Sequence, residues 1–402
     1  MGLGALSEMS EPVRILQVLG RLDRGGAETM IMNLYRRMDR DRIQFDFVIH
    51  TEDVCEYSEE VLSLGGRIYS MRPFRGAGVI GYRRQWRTFF AKHPEIAIVH
   101  GHMRSTASIY LAEAKRAGVR TIAHSHNTSS GKGIHAFVKN MLQRSIADHA
   151  DRLLACSLGS GEWLYGPEKC VEPRFAVLPN GIDCTRFTFD PADRDATRKA
   201  LSVSQEQIVI LHIGRMEAQK NQAFLLRIAA HLMERDGKLP GGVPKYIFLL
   251  CGEGPLEMQL KEQAAKLELS DAVRFLGVRD DIPHLMDAAD LMVFPSLFEG
   301  LPVTLVEAQA SGLPVVMSDT ITDEVVMTDL VTTAPMPGSV TDWLTAIDAV
   351  RKRLEESQGS PDSEGACNDR DAARQAYAGQ IKAHGYDVAD TAKWLTDFYL
   401  GL

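Results

Sequence analysis

The stretch DLMVFPSLFEGLPVTLVEAQASGLPVV, residues 290–316, decides how the rest of the chain is read. Its apolar run ends at Phe294, as a buried strand does, and a short loop from Pro295 to Gly300 carries Glu299. Pro302 suits the first position of a helix, where its missing N–H costs nothing, and Gly312 suits the stop. A strand, a glycine-bearing loop and a helix in that order leave free backbone N–H groups from Gly300 to Thr304 at the positive end of a helix dipole. That is an anion site suited to a diphosphate. Gly300 lets the backbone come close and Thr304 adds a hydroxyl. Glu299 precedes the helix, and Glu307 lies about 8 Å along it at 1.5 Å per residue. Two carboxylates straddling a phosphate site can hold hydroxyl-rich groups on either side of it. A helix cap plus a surface glutamate is the plain alternative for either residue taken alone.

Working outward, the apolar run IVILHI (208–213) is followed by Gly214 and Arg215, with Lys220 at a helix start. Two cations at the carboxyl end of a parallel strand can clamp a diphosphate, arginine by its fork and lysine as a point charge. Gly252, Glu253 and Gly254 form a turn after YIFLLC (246–251), open enough for a ring to approach. In the first half, RILQVL (14–19) leads to Gly25 and Gly26 and then an amphipathic helix, in echo of IVILHI and its helix. His100 and His102, then His124 and His126, sit at two neighbouring strand ends. Two His-x-His pairs raise the question of a metal, but no carboxylate at ligand spacing accompanies them, so none is expected. The Asp-x-Asp pairs at 193–195 and 369–371 fall in polar connections and are discounted as metal ligands. No Gly-x-Gly-x-x-Gly follows a strand, against a nicotinamide or flavin fingerprint.

Short runs of Val, Ile, Leu and Phe recur between amphipathic stretches throughout. The expected strands are 14–19, 45–50, 67–71, 96–100, 120–124 and 153–156, then 208–213, 246–251, 273–276, 291–294 and 314–317. This is α/β patterning in two doubly wound, Rossmann-like domains. The boundaries read as a flexible N-terminus over 1–12, a first domain over 13–185, a second over 186–384 and a terminal helix over 385–402. Turn formers between 179 and 192 mark the hinge, and polar residues 357–371 read as a mobile loop. In the last helix Val388, Thr391, Trp394, Leu395, Phe398 and Tyr399 share a sticky face.

The 402 residues are 45% hydrophobic and 24% charged, which supports a sizeable core and excludes wholesale disorder. No apolar run reaches membrane-spanning length and the N-terminus lacks signal-peptide character, so the expected location is cytoplasmic. Six scattered cysteines without a Cys-x-x-Cys pair fit a reducing compartment. A net charge of −8 gives nucleic acid no foothold. The balance is uneven: residues 1–190 carry 25 basic against 21 acidic residues, the remainder 20 against 32. Residues 61–94 hold seven Lys or Arg and no acid. Within 72–92, arginines interleave with Tyr82, Trp86, Phe89 and Phe90. Peripheral contact with anionic lipid at the inner face of the plasma membrane is one reading. An ordinary helix burying its aromatics is the other.

With these segments in view, the chain resembles glycosyltransferase family 4, retaining enzymes of the GT-B fold, and within it the branch that builds bacterial exopolysaccharide and capsule. The resemblance runs from about 14 to 325. It rests on Glu299-x7-Glu307 together with GRMEAQKN, LLCGEGPLE, FLGVRDDIPHLMDAADLMVFPS and VLPNGID, in the family's order. It implies two domains facing a cleft, with the last helix crossing back to the first. It also implies that Arg215 and Lys220 bind the donor's diphosphate beside Gly214, and that Glu307 holds the ribose hydroxyls. Glu299 would contact the donor sugar, with Gly300, Leu301 and Thr304 lining sugar and phosphate. Gly252, Glu253, Val278 and Arg279 would fall near the base, and Gly25 and Gly26 would border acceptor and phosphate. His126 matches the active-site histidine, with His124 the second choice and His102 also on the acceptor side. The segment DTITDE departs from the family's glycines, and only Glu324 matches there.

The implied reaction moves a sugar, with retention, from a nucleotide-sugar (UDP preferred) to a hydroxyl of a glycan or lipid-linked glycan. It needs no metal and no cofactor, and the departing diphosphate helps deprotonate the incoming hydroxyl. A nucleotide-sugar epimerase on the same architecture and a non-catalytic nucleotide-sugar-binding regulator are the competing readings.

Overall fold

The computed structural model describes residues 11–74, 78–126, 143, 145–356 and 366–402. The chain divides into two compact units: residues up to Gly181 together with Val388–Leu402, and Ile182–Asp387.

The first unit carries an all-parallel sheet of β1 (Val13–Val18), β2 (Ile43–Ile49), β3 (Ile68–Ser70), β4 (Ile96–Gly101), β5 (Arg120–Ser125), β6 (Arg152–Ala155) and β7 (Phe175–Val177). Their order is β3-β2-β1-β4-β5-β6-β7. Pairing of Val13 with Ile43 and Ile98 with Arg120 sets the register. Ile15, Phe45, Phe47 and Ile98 pack on one face with the helix Gly26–Arg37, and Leu16, Val18, Val48 and Val99 pack on the other. Burial on both faces explains why these strands read as unbroken apolar runs. The exceptions are informative: Gln17, Asp46, His100 and His124 are buried polar residues within the strands. Asp46 is matched by Arg14 at 2.6 and 2.7 Å. The helix Val388–Leu400 belongs to this unit and buries Val388, Ala392, Leu395 and Tyr399 beside Tyr35 and Phe45. Trp394 does not join that buried face: it is 40% exposed and stacks on Phe398 instead.

The second unit holds β8 (Ile208–Ile213), β9 (Tyr246–Cys251), β10 (Val273–Gly277), β11 (Leu291–Phe294), β12 (Val315–Ser318) and β13 (Val331–Ala334). They form a parallel sheet in the order β10-β9-β8-β11-β12-β13. Asp290 anchors its base, accepting from the Val209 N–H at 2.8 Å and pairing with Arg194 and Arg198. In both sheets the strand order reverses beside the first strand of the unit. Loops at the carboxyl ends therefore part between β1 and β4, and between β8 and β11, which is where ligands enter such sheets.

Eleven strands fall where the apolar runs place them. The other two, β7 and β13, are short edge strands and half-exposed, so neither carries a full apolar run. Of the loop expected over 357–371, residues 357–365 lie outside the described residues, and the remainder form the first turns of the helix Ala366–Ala383. Residues 1–10 of the expected flexible N-terminus also lie outside the described residues.

In the segment 72–92 the interleaved aromatic rings are buried. Its helix, Val79–Lys92, buries Tyr82, Trp86, Phe89 and Phe90 in the core against Leu16, Val99 and Tyr110. Arg83 and Arg87 gather with Arg116 around the buried carboxylate of Glu113. The aromatics are core residues because they occupy the helical face turned to the sheet, as in the ordinary-helix reading. No helix among the described residues is long and apolar enough to cross one.

Candidate functional site

In the second unit the loops after β8 and β11 meet at the switch point. Gly214 donates to the Cys251 carbonyl at 3.0 Å and Met216 to that of Glu253 at 2.9 Å, so the turns after β8 and β9 are zipped together. Gly252 is central to this. Its φ is +120°, and a Cβ there would lie 2.3 Å from the Gly214 carbonyl oxygen, so only glycine fits.

Lys220 and Glu299 come together across the switch point, Nζ to Oε1 at 2.6 Å, with side chains only 18% and 9% exposed. The lysine also lies 5.0 Å from the centre of the Phe294 ring. Neighbours lock this pair. Gln219 donates to the Phe298 carbonyl at 2.8 Å and to Glu299 Oε2 at 3.2 Å. The Leu297 N–H donates to the Gln219 carbonyl at 2.8 Å, and Asn221 reaches the Pro295 carbonyl at 3.2 Å. Asn221 turns the chain with a φ of +54°. Gln219 and Asn221 are positioning residues that the sequence does not single out. Arg215 is 70% exposed, 4.0 Å from Glu217, and is not part of this lock.

The helix Val303–Ala310 starts one residue later than expected, with Pro302 as its cap position and extended in backbone. Gly300 and Thr304 are half-buried at its mouth, and Leu301 is buried beneath. Glu307 is half-buried on the same helix. Desolvation pushes its carboxyl up to about 7, opposed only by the Arg186 cation. Arg186 itself donates to the Asp280 carbonyl at 2.8 Å. Nearby, Val278 is exposed and Arg279 pairs with Asp281 at 2.5 and 2.8 Å. Glu324 is exposed in the short turn Asp323–Val325. Behind Lys220, His212 donates its Nδ1 proton to the Val293 carbonyl at 3.0 Å, and burial lowers its pKa to about 4.

In the first unit the four histidines at the ends of β4 and β5 do converge. His100 Nε2 lies 3.1 Å from His124 Nδ1, and His102 Nδ1 lies 2.8 Å from His126 Nε2. Tyr399, from the last helix, contacts His100 Nδ1 at 2.5 Å, and Gln17 Oε1 contacts His102 Nε2 at 2.8 Å. Burial drives all four imidazoles well below the usual histidine range, His126 to about 4, so they are neutral. Ring nitrogens of His100, His102 and His124 come within 4.8 Å of one another, close enough to share a cation. Six of the cluster's eight ring nitrogens are engaged by the hydrogen bonds above. Gly25 and Gly26 open the helix after β1. A Cβ on Gly25 would strike the Glu28 carboxylate, whereas Gly26 has open space around it. Burial raises the pKa of Glu28. Gln17 and Tyr399 are site residues that sequence reasoning misses. Gln17 is visible as the one uncharged polar residue inside RILQVL, whereas nothing local marks Tyr399.

Comparison with known proteins fits both halves. Residues 193–357 match the family described as Glycosyl transferases group 1, and residues 24–186 match Glycosyltransferase Family 4. The Bacillus subtilis protein named as glycosyltransferase EpsF is 40% identical over 322 residues, covering 79% of this chain and 82% of that one. The chain is a family 4 glycosyltransferase. An Escherichia coli relative of this glycosyltransferase is named UDP-Gal:alpha-D-GlcNAc-diphosphoundecaprenol alpha-1,3-galactosyltransferase. It is 29% identical over 234 residues, 57% of this chain and 59% of the relative. Among solved structures, Anabaena HepE in complex with UDP matches with a TM-score of 0.74 at 19% identity, over 97% of this chain and all of that one. WaaG, a glycosyltransferase involved in lipopolysaccharide biosynthesis, matches at 0.64 and 16%, over 96% and 99% of the two chains. Both likenesses speak to the fold, which is GT-B.

Proposed function

We propose that this glycosyltransferase transfers a sugar from a UDP-sugar, with retention and without a metal, to a hydroxyl of a lipid-linked glycan in exopolysaccharide assembly. The observation that carries the donor reading is the Lys220–Glu299 pair, held at 2.6 Å where the second sheet reverses its strand order. Lys220 there faces a helix mouth suited to phosphate, and the lysine, Arg215 and the N–H groups from Gly300 to Thr304 stabilise the departing diphosphate. Glu299, already ordered by Lys220 and Gln219, accepts from hydroxyls of the donor sugar. Glu307 accepts from the ribose hydroxyls, which restores hydrogen bonds to a carboxyl that burial has left poorly solvated. Gly252, Glu253, Val278 and Arg279 border the base. UDP and the lipid-linked acceptor are preferred because relatives carry those names, and the exopolysaccharide role because the ordered motifs resemble that branch of the family.

The bond from the anomeric carbon to the diphosphate breaks with its electron pair going to the diphosphate. The acceptor oxygen then bonds the same face of that carbon, and its proton passes to a diphosphate oxygen. His126 and His124, with His102 behind them, orient hydroxyl groups on the acceptor side. No step calls for a cation beyond those the chain supplies. Incubation with UDP-sugars in EDTA, with and without an undecaprenyl-diphosphate-linked sugar acceptor, tests the reading. The expected result is an extended glycan with unchanged anomeric configuration, formed only when acceptor is present. A free epimerised nucleotide-sugar, an inverted product or strict metal dependence would refute it.

A further inference from the structure

We propose that Gln17 fixes the tautomers of all four clustered histidines, leaving His126 Nδ1 as a bare acceptor and His124 Nε2 as a bare N–H donor for a hydroxyl-bearing ligand. Only the identity of that ligand rests on the transferase reading above. Gln17 is 1% exposed in β1 and sits opposite His100 of β4 in register. Its amide has one accepting end and one donating end, and each starts a chain of hydrogen bonds.

The oxygen end accepts at 2.8 Å from His102 Nε2, which must therefore carry the proton. A neutral imidazole has one N–H, so His102 Nδ1 is an acceptor. His126 Nε2, 2.8 Å away, must then be its donor. That leaves His126 Nδ1 without a proton. The nitrogen end of Gln17 donates to the Tyr399 hydroxyl at 3.4 Å. The phenol proton goes to His100 Nδ1, at 2.5 Å. His100 therefore carries its proton on Nε2 and donates to His124 Nδ1 at 3.1 Å, which leaves the His124 proton on Nε2. All four rings end in the same Nε2–H form. The two nitrogens that close the chains, His126 Nδ1 and His124 Nε2, are buried and have no hydrogen-bond partner among the described residues.

Turning the Gln17 amide over would reverse every bond and put all four protons on Nδ1. The distances speak against it. The Gln17–Tyr399 separation of 3.4 Å is long for either polarity, but in the flipped arrangement the 2.5 Å contact with His100 would have to be an N–H···O bond, shorter than the about 2.7–3.2 Å such bonds take. In the assigned arrangement the phenol spends its proton on the 2.5 Å contact. Burial keeps the phenol protonated and the imidazoles neutral, so the pattern is not scrambled by charge near pH 7. The rings of His124 and His126 stack at 4.1 Å. One offers a proton and the other a lone pair, a combination that suits a sugar hydroxyl, which both donates and accepts. Gln17 acts through His102 and Tyr399 and is a positioning residue.

The test is long-range 1H–15N correlation spectroscopy on the full chain labelled with 15N-histidine, in EDTA and without donor or acceptor. Each ring is assigned by its own His→Gln substitution. Wild type is expected to show His100, His102, His124 and His126 all as Nε2–H. Tyr399→Phe should change the tautomers of His100 and His124 while leaving His102 and His126 as they were. Gln17→Leu should turn the single His126 form into a mixture. An Nδ1–H signal for His126 in wild type, or a Tyr399→Phe spectrum that matches wild type at His100 and His124, would overturn the proposal. Because no substrate is present, that failure would leave the transferase reading standing, and failure of transfer would leave the spectrum unchanged.

Discussion

Replacing Glu307 by Gln should stabilise the empty enzyme above neutral pH while weakening its hold on nucleotide. The carboxyl is half-buried on the helix Val303–Ala310, and desolvation raises its midpoint from an ordinary 4.5 to about 7. Between those two values the folded chain binds more protons than the unfolded chain, so stability falls as pH rises through the interval. Below 4.5 the penalty is absent, and above 7 it is fully present. At 1.36 kcal/mol per pH unit it amounts to about 3 kcal/mol as a ceiling. For a unit of this size, about 2–4 °C of Tm accompanies each kcal/mol, so Glu307→Gln should raise the Tm at pH 8.5 by up to ~10 °C and leave it nearly unchanged at pH 4.5. Nucleotide binding should move the other way. Loss of a charged acceptor for ribose hydroxyls removes about 1.5–3 kcal/mol, a tenfold or greater drop in affinity for UDP. Thermal unfolding at the two pH values, with and without UDP, reads both effects. A variant less stable than wild type at pH 8.5, or a Tm difference that ignores pH, would refute the desolvation argument. Unchanged UDP affinity would refute the ribose role.

Two further substitutions probe the framework. Gly252→Ala would force a Cβ into the Gly214 carbonyl at a φ of +120°. The second unit should lose about 2 kcal/mol or more, visible as a lower denaturant midpoint, and a midpoint equal to wild type would show that the zipped turns can spread. Trp86→Ala removes a fully buried ring packed on Phe89, Phe90 and Tyr110 and should cost about 3–5 kcal/mol in chemical denaturation. A loss below about 1 kcal/mol would contradict its place in the core.

The parallel sheets were legible because strands buried on both faces carry little but Val, Ile, Leu and Phe. The short edges Phe175–Val177 and Val331–Ala334 were not, since a half-exposed strand of three or four residues leaves no such run. Lys220 and Glu299 could each be singled out from their local setting at a strand end, yet 79 residues separate them and only the sheet reversal makes them partners. Gln219 and Asn221 act by bonding to a loop distant in sequence, so their own neighbours carry no sign of it. The aromatics of 72–92 had two readings from composition alone, because a helix that buries its rings and one that offers them to lipid have the same spacing. The histidines illustrate the same limit at the site: their His-x-His spacing was visible, whereas the chain from Gln17 to His126 and from Gln17 through Tyr399 to His124 exists only in three dimensions.

The most direct test of the central claim is calorimetric titration of UDP into wild type and Lys220→Met, each in EDTA and again with Mg2+. Wild type is expected to bind saturably and with the same affinity in both buffers. Lys220→Met should lose at least tenfold, because the substitution leaves Glu299 without its cation in a setting only 9% exposed. Binding that appears only with the metal, or that survives Lys220→Met unchanged, would contradict a clamp built from the chain's own charges.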